Sequence, residues 1–359
     1  MKSFWEGRSC LVTGADGFVG AHLIKELAQN NSVVTGLVRS RKAVSTLDLL
    51  DVSKNMNLEY GDLTSFRTMR RLIDFYQVDT CFHLAATTIV SAASKSPQTT
   101  LENNIMGTWN LLEAARVSTT VNRIVVASSD KAYGDHKKDL PYVENRSALR
   151  GLGAYECSKA SADLISQMYF FQYRQPVRIT RCSNIYGPGD LNFTRLVPGT
   201  IMRILLGDKP IVHAGREETY REYLYVEDAV KAYLRLAETI RPFQELEIPK
   251  NPDEAFSYCA YNVGGGNKNV QSVGVVIQSI MDQISSTGSL ETVPKPREEA
   301  QDYIEIRDQF LNSEKISRLG WGSSVALIPE GLERTINWYQ EHLEEVRNLA
   351  ISRLKLCSG

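Results

Sequence analysis

VTGADGFVGAHLIKEL, residues 12–27, joins a short apolar strand to an amphipathic helix through Gly14, Gly17 and Gly20. Such a turn lets the main chain approach a pyrophosphate closely, and the start of the helix supplies unpaired N–H groups and a partial positive charge. A tight strand-to-helix turn without a ligand has the same spacing, so the motif depends on its context. A strand before it and a helix after it favour a dinucleotide site.

The first half of the chain alternates between β-branched runs and segments of helical period. This rhythm predicts right-handed crossovers and a doubly wound parallel sheet of Rossmann type, covered by helices on both faces. The predicted strands are residues 10–13, 33–38, 80–86, 123–129 and 177–181.

From about residue 184 the pattern loosens and prolines become frequent. We therefore predict a dinucleotide-binding domain over residues 1–190, a smaller α/β region over 191–345 that is partly interleaved with it, and a C-terminal tail over 346–359. Residues 241–256 have the composition of a loop or insertion. The helices predicted in the second region are 194–206, 226–239, 270–284 and 328–345.

Composition excludes several classes of protein. The 359 residues are 43% hydrophobic and 23% charged, with a formal net charge of −1, which argues against binding to nucleic acid. The six cysteines show no CxxC or short Cys/His spacing, so we expect neither a disulfide framework nor a metal site. No stretch has the apolar length of a membrane span, and the first residues lack a signal-peptide core. We expect a cytoplasmic protein.

The stretch AYECSKASADLISQMYFF, residues 154–171, places Tyr155 and Lys159 one helical turn apart. A nearby ammonium favours the phenolate form and lowers a tyrosine pKa, so Tyr155 is a candidate general base for a hydroxyl. The same spacing also occurs in Tyr/Lys pairs on solvated helices. The apolar positions predict a buried stripe on this helix: Ala160, Leu164, Met168 and Phe171.

The stretch SSDKAYG, residues 128–134, places a hydroxyl, a carboxylate and an ammonium where a buried strand ends. A turn explains Ser129, Asp130 and Lys131 as well as chemistry does, because these residue types are common in turns.

The second strand ends in LVRSR, residues 37–41, where an acidic residue would bind the ribose 2′-OH of NAD. Arg39 and Arg41 slightly favour the 2′-phosphate of NADP instead. Arginines at a strand end are also commonly just solvated.

Taken in order along the chain, these motifs resemble the extended short-chain dehydrogenase/reductase family of nucleotide-sugar epimerases and dehydratases. The resemblance covers nearly the whole chain. It implies a tightly bound NAD or NADP, a nucleotide-sugar substrate held by the second region, and a homodimer built from helices at about 98–117 and 155–174. The motifs that carry it are the glycine turn, FHLAA (82–86), NNIMGTWNLLEAA (103–115), SSDKAYG, YECSK (155–159), RCSNIYGPGD (181–190), YREYLYVEDAV (220–230) and YNVGGG (261–266).

The resemblance also assigns residues to roles. The family's catalytic hydroxyl, tyrosine and lysine fall on Ser129, Tyr155 and Lys159. Cofactor contacts fall on Gly14, Asp16, Gly17, Phe18, Val19, Gly20, Arg39, Asp62, Leu63, Leu84, Ala85, Ala86, Tyr155 and Lys159. Substrate contacts fall on Thr88, Asn184, Arg195, Val197 and Arg221.

Asp130 and Lys131 resemble the CDP-glucose 4,6-dehydratases, in which a Lys replaces the Glu of other 4,6-dehydratases. The resemblance implies oxidation at C4, loss of water across C5 and C6 with Asp130 as acid and Lys131 as base, and return of hydride to C6. Three alternatives stay open at this point: Lys131 as a structural partner of Asp130, a C4 epimerase that uses Ser129, Tyr155 and Lys159 alone, and a non-catalytic dinucleotide sensor. The sequence identifies neither the nucleotide base nor the sugar.

Overall fold

The computed structural model describes residues 3–136, 140–285, 290–293 and 308–355. Its centre is a seven-stranded parallel sheet in the order β10-β6-β5-β4-β1-β2-β3. The strands are β1 (Ser9–Thr13), β2 (Val33–Val38), β3 (Asn57–Tyr60), β4 (Thr80–His83), β5 (Arg123–Ala127), β6 (Val177–Cys182), β7 (Asn184–Tyr186), β8 (Ile211–His213), β9 (Tyr220–Tyr225), β10 (Ala260–Val263), β11 (Val270–Ser272) and β12 (Glu291–Val293).

Helices lie on both faces of this sheet, and others build the second region. They are α1 (Phe18–Gln29), α2 (Thr46–Leu49), α3 (Phe66–Phe75), α4 (Val90–Lys95), α5 (Pro97–Leu101), α6 (Gly107–Arg116), α7 (Ala154–Tyr173), α8 (Leu196–Leu205), α9 (Val226–Glu238), α10 (Pro252–Ala255), α11 (Val273–Gln283), α12 (Glu314–Ser317), α13 (Leu332–Glu341) and α14 (Leu343–Leu354). A π-helical turn, Glu102–Met106, joins α5 to α6.

The predicted doubly wound sheet is confirmed. Alternate residues of each central strand enter opposite cores, so Val12 packs with α1 and α9 while Leu11 packs with α3, α6 and α7. Strand β3 was missed because it lies at the sheet edge and three of its four side chains are exposed, which leaves no apolar pattern to detect.

Two elements from the second half of the chain belong to the sheet layer. Strand β10 pairs in parallel with β6 at the sheet edge. Helix α9 packs beside α1, and its Glu238 accepts a hydrogen bond from the indole of Trp5 at 2.9 Å. The domain boundary at residue 190 stays a prediction, and so does the C-terminal tail over residues 346–359. Within that tail, residues 346–354 belong to α14, and residues 356–359 lie outside the described residues.

The second region contains the small sheet β12-β8, two strands of the sheet β11-β9-β7 and a separate core formed mainly by α8, α11, α13 and α14. Strand β7 comes from before the predicted boundary at residue 190. Among the described residues no helix is long and apolar enough to cross a bilayer. Within the same ranges no group of three His, Cys, Asp or Glu side chains is placed to hold a metal ion.

The stripe predicted on α7 is wrong at its centre. Leu164 is 48% exposed and Met168 is 39% exposed. The buried face of α7 instead combines apolar residues with polar ones, and among the latter Asp163 forms two 2.8 Å hydrogen bonds with Arg181 on β6, with both side chains fully buried. Asp163 of α7 therefore faces the core because its partner, Arg181, is buried on β6.

Candidate active site

The glycine turn is shaped by close approaches of the main chain. Gly14 has a φ of +71°, and a Cβ placed on it would lie 2.8 Å from the main-chain nitrogen of Ala85 in the segment after β4. A Cβ on Gly20 would collide with the carbonyl oxygen of Gly14. Gly17 is the N-cap of α1 and offers no side chain to its first turn, which also contains no acidic residue. The start of α1, with Phe18 and Val19, therefore fits an anionic ligand such as a pyrophosphate.

Hydrogen bonds attach the segment after β4 to strand β1 and to the neighbouring helices. Leu84 and Ala85 donate their main-chain N–H groups to Thr13, and Ala86 follows them at the same edge. Buried Asn104, in the π-helical turn, accepts from the N–H of Thr87 at 2.7 Å. The Asn104 amide also donates to the Thr87 carbonyl and to Ser158 on α7. This amide was not singled out from the sequence, although it lies in a quoted motif.

The residues that follow β2 and β3 are more exposed to solvent than the glycine turn. Arg39, Arg41 and Asp62 are exposed, and the Asp62 carboxylate accepts two 2.8 Å hydrogen bonds from Thr64. Leu63 packs against Gly107 at the start of α6. Lys42, which the sequence analysis did not single out, contacts the glycine turn. Lys42 forms a 2.7 Å ion pair with Asp16.

Ser129 and Asp130 follow β5 and are buried. The Ser129 hydroxyl donates to Asp130 Oδ1 at 3.1 Å and accepts from the N–H of Lys131 at 3.2 Å. Asp130 Oδ2 is buried and has no hydrogen-bond partner. Burial raises the pKa of Asp130, and the nearby cations Lys131 and Arg221 only partly oppose this shift. A carboxyl in this setting retains its proton to higher pH than an exposed one.

Tyr155 and Lys159 lie on the buried face of α7, beside the end of β5. Lys159 donates from Nζ to the carbonyl oxygen of Ala127 at 2.8 Å, and burial lowers its pKa to about 8. Burial raises the pKa of Tyr155 to about 12, while a hydrogen bond with Ser129 and the charge of Arg195 lower it. The predicted decrease in the Tyr155 pKa is therefore wrong for the protein alone, because desolvation of the phenolate outweighs the neighbouring groups.

Lys131 contacts a residue from the far end of the chain. Its Nζ donates to Oε1 of Gln309, and the Gln309 amide donates to the main-chain oxygen of Asp130 at 2.8 Å. Gln309 is fully buried. The sequence analysis missed it because a single Gln in a charged stretch, EIRDQFLNSEK, has no distinguishing pattern.

Of the predicted substrate residues, Arg195, Val197 and Arg221 lie in the second region, whereas Thr88 and Asn184 lie within residues 1–190. Arg195 forms a 2.9 Å ion pair with buried Asp190, and a 3.5 Å contact links it to Thr88. Asn184 donates to the carbonyl oxygen of Glu222 at 3.0 Å. Val197 is buried in α8, and Arg221 lies close enough to Asp130 to affect its pKa.

The chain thus assembles a general-base candidate, a hydroxyl, a desolvated carboxyl and a buried amine at the carboxyl ends of the parallel strands. The glycine turn lies at the same edge. This arrangement can bind a dinucleotide and exchange protons with a hydroxylated substrate. Arg39 and Asp62 lie farther along this edge, at the ends of β2 and β3.

Comparison with known proteins agrees with this geometry. Relatives with similar sequences include the dTDP-glucose 4,6-dehydratase of Salmonella typhimurium, 28% identical with 94% of each chain covered. The dTDP-D-glucose 4,6-dehydratase of Homo sapiens is 28% identical and covers 94% of this chain and 92% of its own.

Solved structures share the fold. A dTDP-glucose 4,6-dehydratase of Streptomyces venezuelae, determined with NAD bound, superposes with a TM-score of 0.79 at 25% identity and covers 95% of this chain and 99% of its own. A UDP-glucose 4-epimerase of Thermotoga maritima gives a TM-score of 0.78 at 23% identity, covering 93% and 99%. The sequence profile described as "NAD dependent epimerase/dehydratase family" matches residues 10–249. The chain, with its glycine turn and its Ser, Tyr and Lys at the strand ends, therefore belongs to the NAD dependent epimerase/dehydratase family.

Proposed function

We propose that the protein is a nucleotide-sugar 4,6-dehydratase, which converts an NDP-hexose to the NDP-4-keto-6-deoxyhexose. The observation that carries the proposal is the buried, unpartnered Oδ2 of Asp130 beside Lys131. An epimerase needs Ser129, Tyr155 and Lys159 but has no use for a second acid and base. The names of the relatives, 4,6-dehydratases of bacterial and animal origin, support the same choice.

The residues around the glycine turn fit a nicotinamide dinucleotide. Its pyrophosphate would lie against Gly14, Gly17 and Gly20 at the start of α1, with Tyr155 and Lys159 near the nicotinamide ribose. When bound, the cofactor supplies the hydride acceptor and donor of the reaction. Because the reaction is redox-neutral, we propose that the cofactor stays bound through turnover. Denaturing purified protein should then release it.

The first step is proton removal at O4 of the sugar. Tyr155 takes the hydroxyl proton, and Ser129 holds O4 through a hydrogen bond. A hydrogen bond with Ser129 and the charge of Arg195 both lower the pKa of Tyr155, against the effect of burial. Lys159, held by the Ala127 carbonyl, adds a cation beside the tyrosine.

The second step is loss of water. A ketone at C4 acidifies the C5 hydrogen, which Lys131 removes in its neutral amine form. Asp130 donates its proton to O6 as the C6–O6 bond breaks and water leaves. The raised pKa of Asp130 supports its role as the acid, because the carboxyl is protonated over a wider pH range than an exposed one.

The second region would hold the nucleotide sugar. We propose that residues 1–190 bind the cofactor and that 191–345 supply most substrate contacts. Arg195 and Arg221 suit the diphosphate, with Asn184 and Val197 beside the sugar and nucleotide. Lys131 in place of Glu favours a CDP-hexose, whereas the relatives named above act on dTDP-glucose by name.

Apolar side chains on neighbouring helices support a homodimer. Leu101, Trp109, Leu164 and Met168 are between 38% and 48% exposed on α5, α6 and α7. A second copy of the chain would cover them, and sedimentation of the purified protein tests this. The free cysteines among the described residues agree with the reducing cytoplasm that we propose as its compartment.

One experiment separates the candidate functions. Purified protein is incubated with CDP-, dTDP-, GDP- and UDP-hexoses, and the products are weighed by mass spectrometry. Loss of one water would confirm the dehydratase, and the NDP-hexose that loses it would identify the nucleotide base of the substrate. Conversion at constant mass would instead indicate the C4 epimerase. Stoichiometric consumption of added cofactor would indicate a simple dehydrogenase.

A further inference from the structure

Gln309 connects the two residues proposed to carry out the elimination. It lies in the described segment that begins at residue 308, far from both partners in sequence. Its Nε2 donates to the main-chain oxygen of Asp130 at 2.8 Å, and its Oε1 accepts from Nζ of Lys131. The side chain is fully buried, so water does not compete for these bonds.

The orientation of this carboxamide follows from its partners. A main-chain carbonyl oxygen only accepts hydrogen bonds, and a lysine amine or ammonium donates to the amide oxygen. The nitrogen of Gln309 must therefore face Asp130 and its oxygen must face Lys131. A flipped amide would place two acceptors together on one side and two donors together on the other.

The main chain of Gln309 is fixed by β9. Its N–H donates to the carbonyl oxygen of Tyr220 at 3.3 Å, and its carbonyl oxygen accepts from the N–H of Glu222 at 3.2 Å. The Glu222 carboxylate accepts from the N–H of Leu311 at 2.9 Å. The segment that carries Gln309 is thus attached on both sides to the strand that carries Arg221.

We propose that Gln309 is a positioning residue for the elimination step, which holds the Lys131 amine in place with an uncharged acceptor. This inference rests on the proposed dehydratase function. An uncharged acceptor matters because Lys131 must lose a proton before it can act as a base. Asp130 lies within electrostatic reach of Lys131, Arg221 and Glu222, and a further carboxylate beside Lys131 would favour its ammonium form.

Two substitutions separate positioning from a structural role. Gln309→Leu removes both hydrogen bonds at similar volume. We expect single-turnover C4 oxidation, followed by the absorbance of the reduced nicotinamide, to change less than threefold. Solvent deuterium exchange at C5 should fall about 10²-fold, the usual effect of a misplaced catalytic group.

Gln309→Glu keeps an acceptor for Lys131 but adds a negative charge. The acid limb of the C5-exchange profile should move to higher pH by about 1–3 units, so that exchange is slow at pH 7 and recovers at alkaline pH. A structural role would not produce such a recovery, so this readout stays informative even where Gln309→Leu folds poorly.

Gln175→Leu is the matched control. Gln175 is also buried, and its amide also donates to a main-chain oxygen, that of Leu112, at 2.9 Å, away from the site. The inference is overturned if both Gln309 variants lose C4 oxidation and C5 exchange equally, or match Gln175→Leu in both, with no change in the pH profile. If the unmutated protein releases no water from any NDP-hexose, the proposed function itself is overturned, and this inference with it.

Discussion

Replacing Asp130 by Asn should slow the enzyme and stabilise the protein at the same time. Asn keeps an oxygen that accepts the 3.1 Å hydrogen bond from Ser129. It cannot deliver a proton to O6, so water loss should slow by about 10²–10⁴-fold while C4 oxidation survives. Reduced cofactor and a 4-keto-hexose should accumulate on the enzyme, which absorbance and mass spectrometry would detect.

The stability gain follows from the burial of the carboxyl. Asp130 is 2% exposed, and its Oδ2 has no partner. Because its folded-state pKa is raised, the protonated carboxyl contributes stability below the unfolded-state pKa, and that contribution is lost as pH rises through the folded-state pKa. Asn does not titrate and buries no charge, although its amide is as unpartnered as Oδ2, so the variant should gain about 1–2 kcal/mol at alkaline pH.

Thermal unfolding from pH 5 to pH 9 tests this reasoning. The melting temperature of Asp130→Asn should exceed that of the unmutated protein by about 1–3 °C at pH 9, and the difference should shrink toward pH 5. Asp282→Asn, the same substitution on the exposed face of α11, is the matched control. A variant that is less stable at pH 9, or a difference that does not change with pH, would refute the reasoning.

Four further substitutions test other parts of the molecule. Arg39→Ala should weaken NADP binding by about 10–100-fold more than NAD binding if Arg39 faces a 2′-phosphate, and calorimetric titration with both cofactors would show equal small effects if it is only solvated. Lys131→Met should spare C4 oxidation and suppress deuterium exchange at C5, whereas Tyr155→Phe should block both; full turnover by Lys131→Met would remove it as the base. Asp163→Asn should lower the free energy of unfolding by about 3–5 kcal/mol, because it leaves the fully buried Arg181 without its carboxylate partner. Urea denaturation measures this, and a loss below about 1 kcal/mol would contradict it.

The fold was predictable where apolar periodicity and turn chemistry agree. The residues before the glycine turn and the apolar runs 33–38 and 80–86 predicted strands β1, β2 and β4 to within a few residues. Short strands of the second region, such as β8 and β11, were not predicted, because three residues are too few to show a period.

The candidate site was predictable only where side chains are neighbours in sequence. Ser129, Asp130 and Lys131 are consecutive, so their proximity needs no tertiary information. Gln309 reaches them through the tertiary fold alone, and local sequence carries no sign of that contact. The same reason explains α7, where Asp163 is buried by its distant partner Arg181.

The position of β10 affects how the chain can fold as it is synthesised. Strand β6 leaves the ribosome well before Ala260–Val263, the segment that completes the sheet beside it. Until then, the main-chain groups along one side of β6 are open, and an open strand edge pairs readily with other chains. A nascent or prematurely terminated chain that stops before β10 therefore exposes an unpaired strand edge, and we expect such a chain to aggregate more readily than the full-length protein.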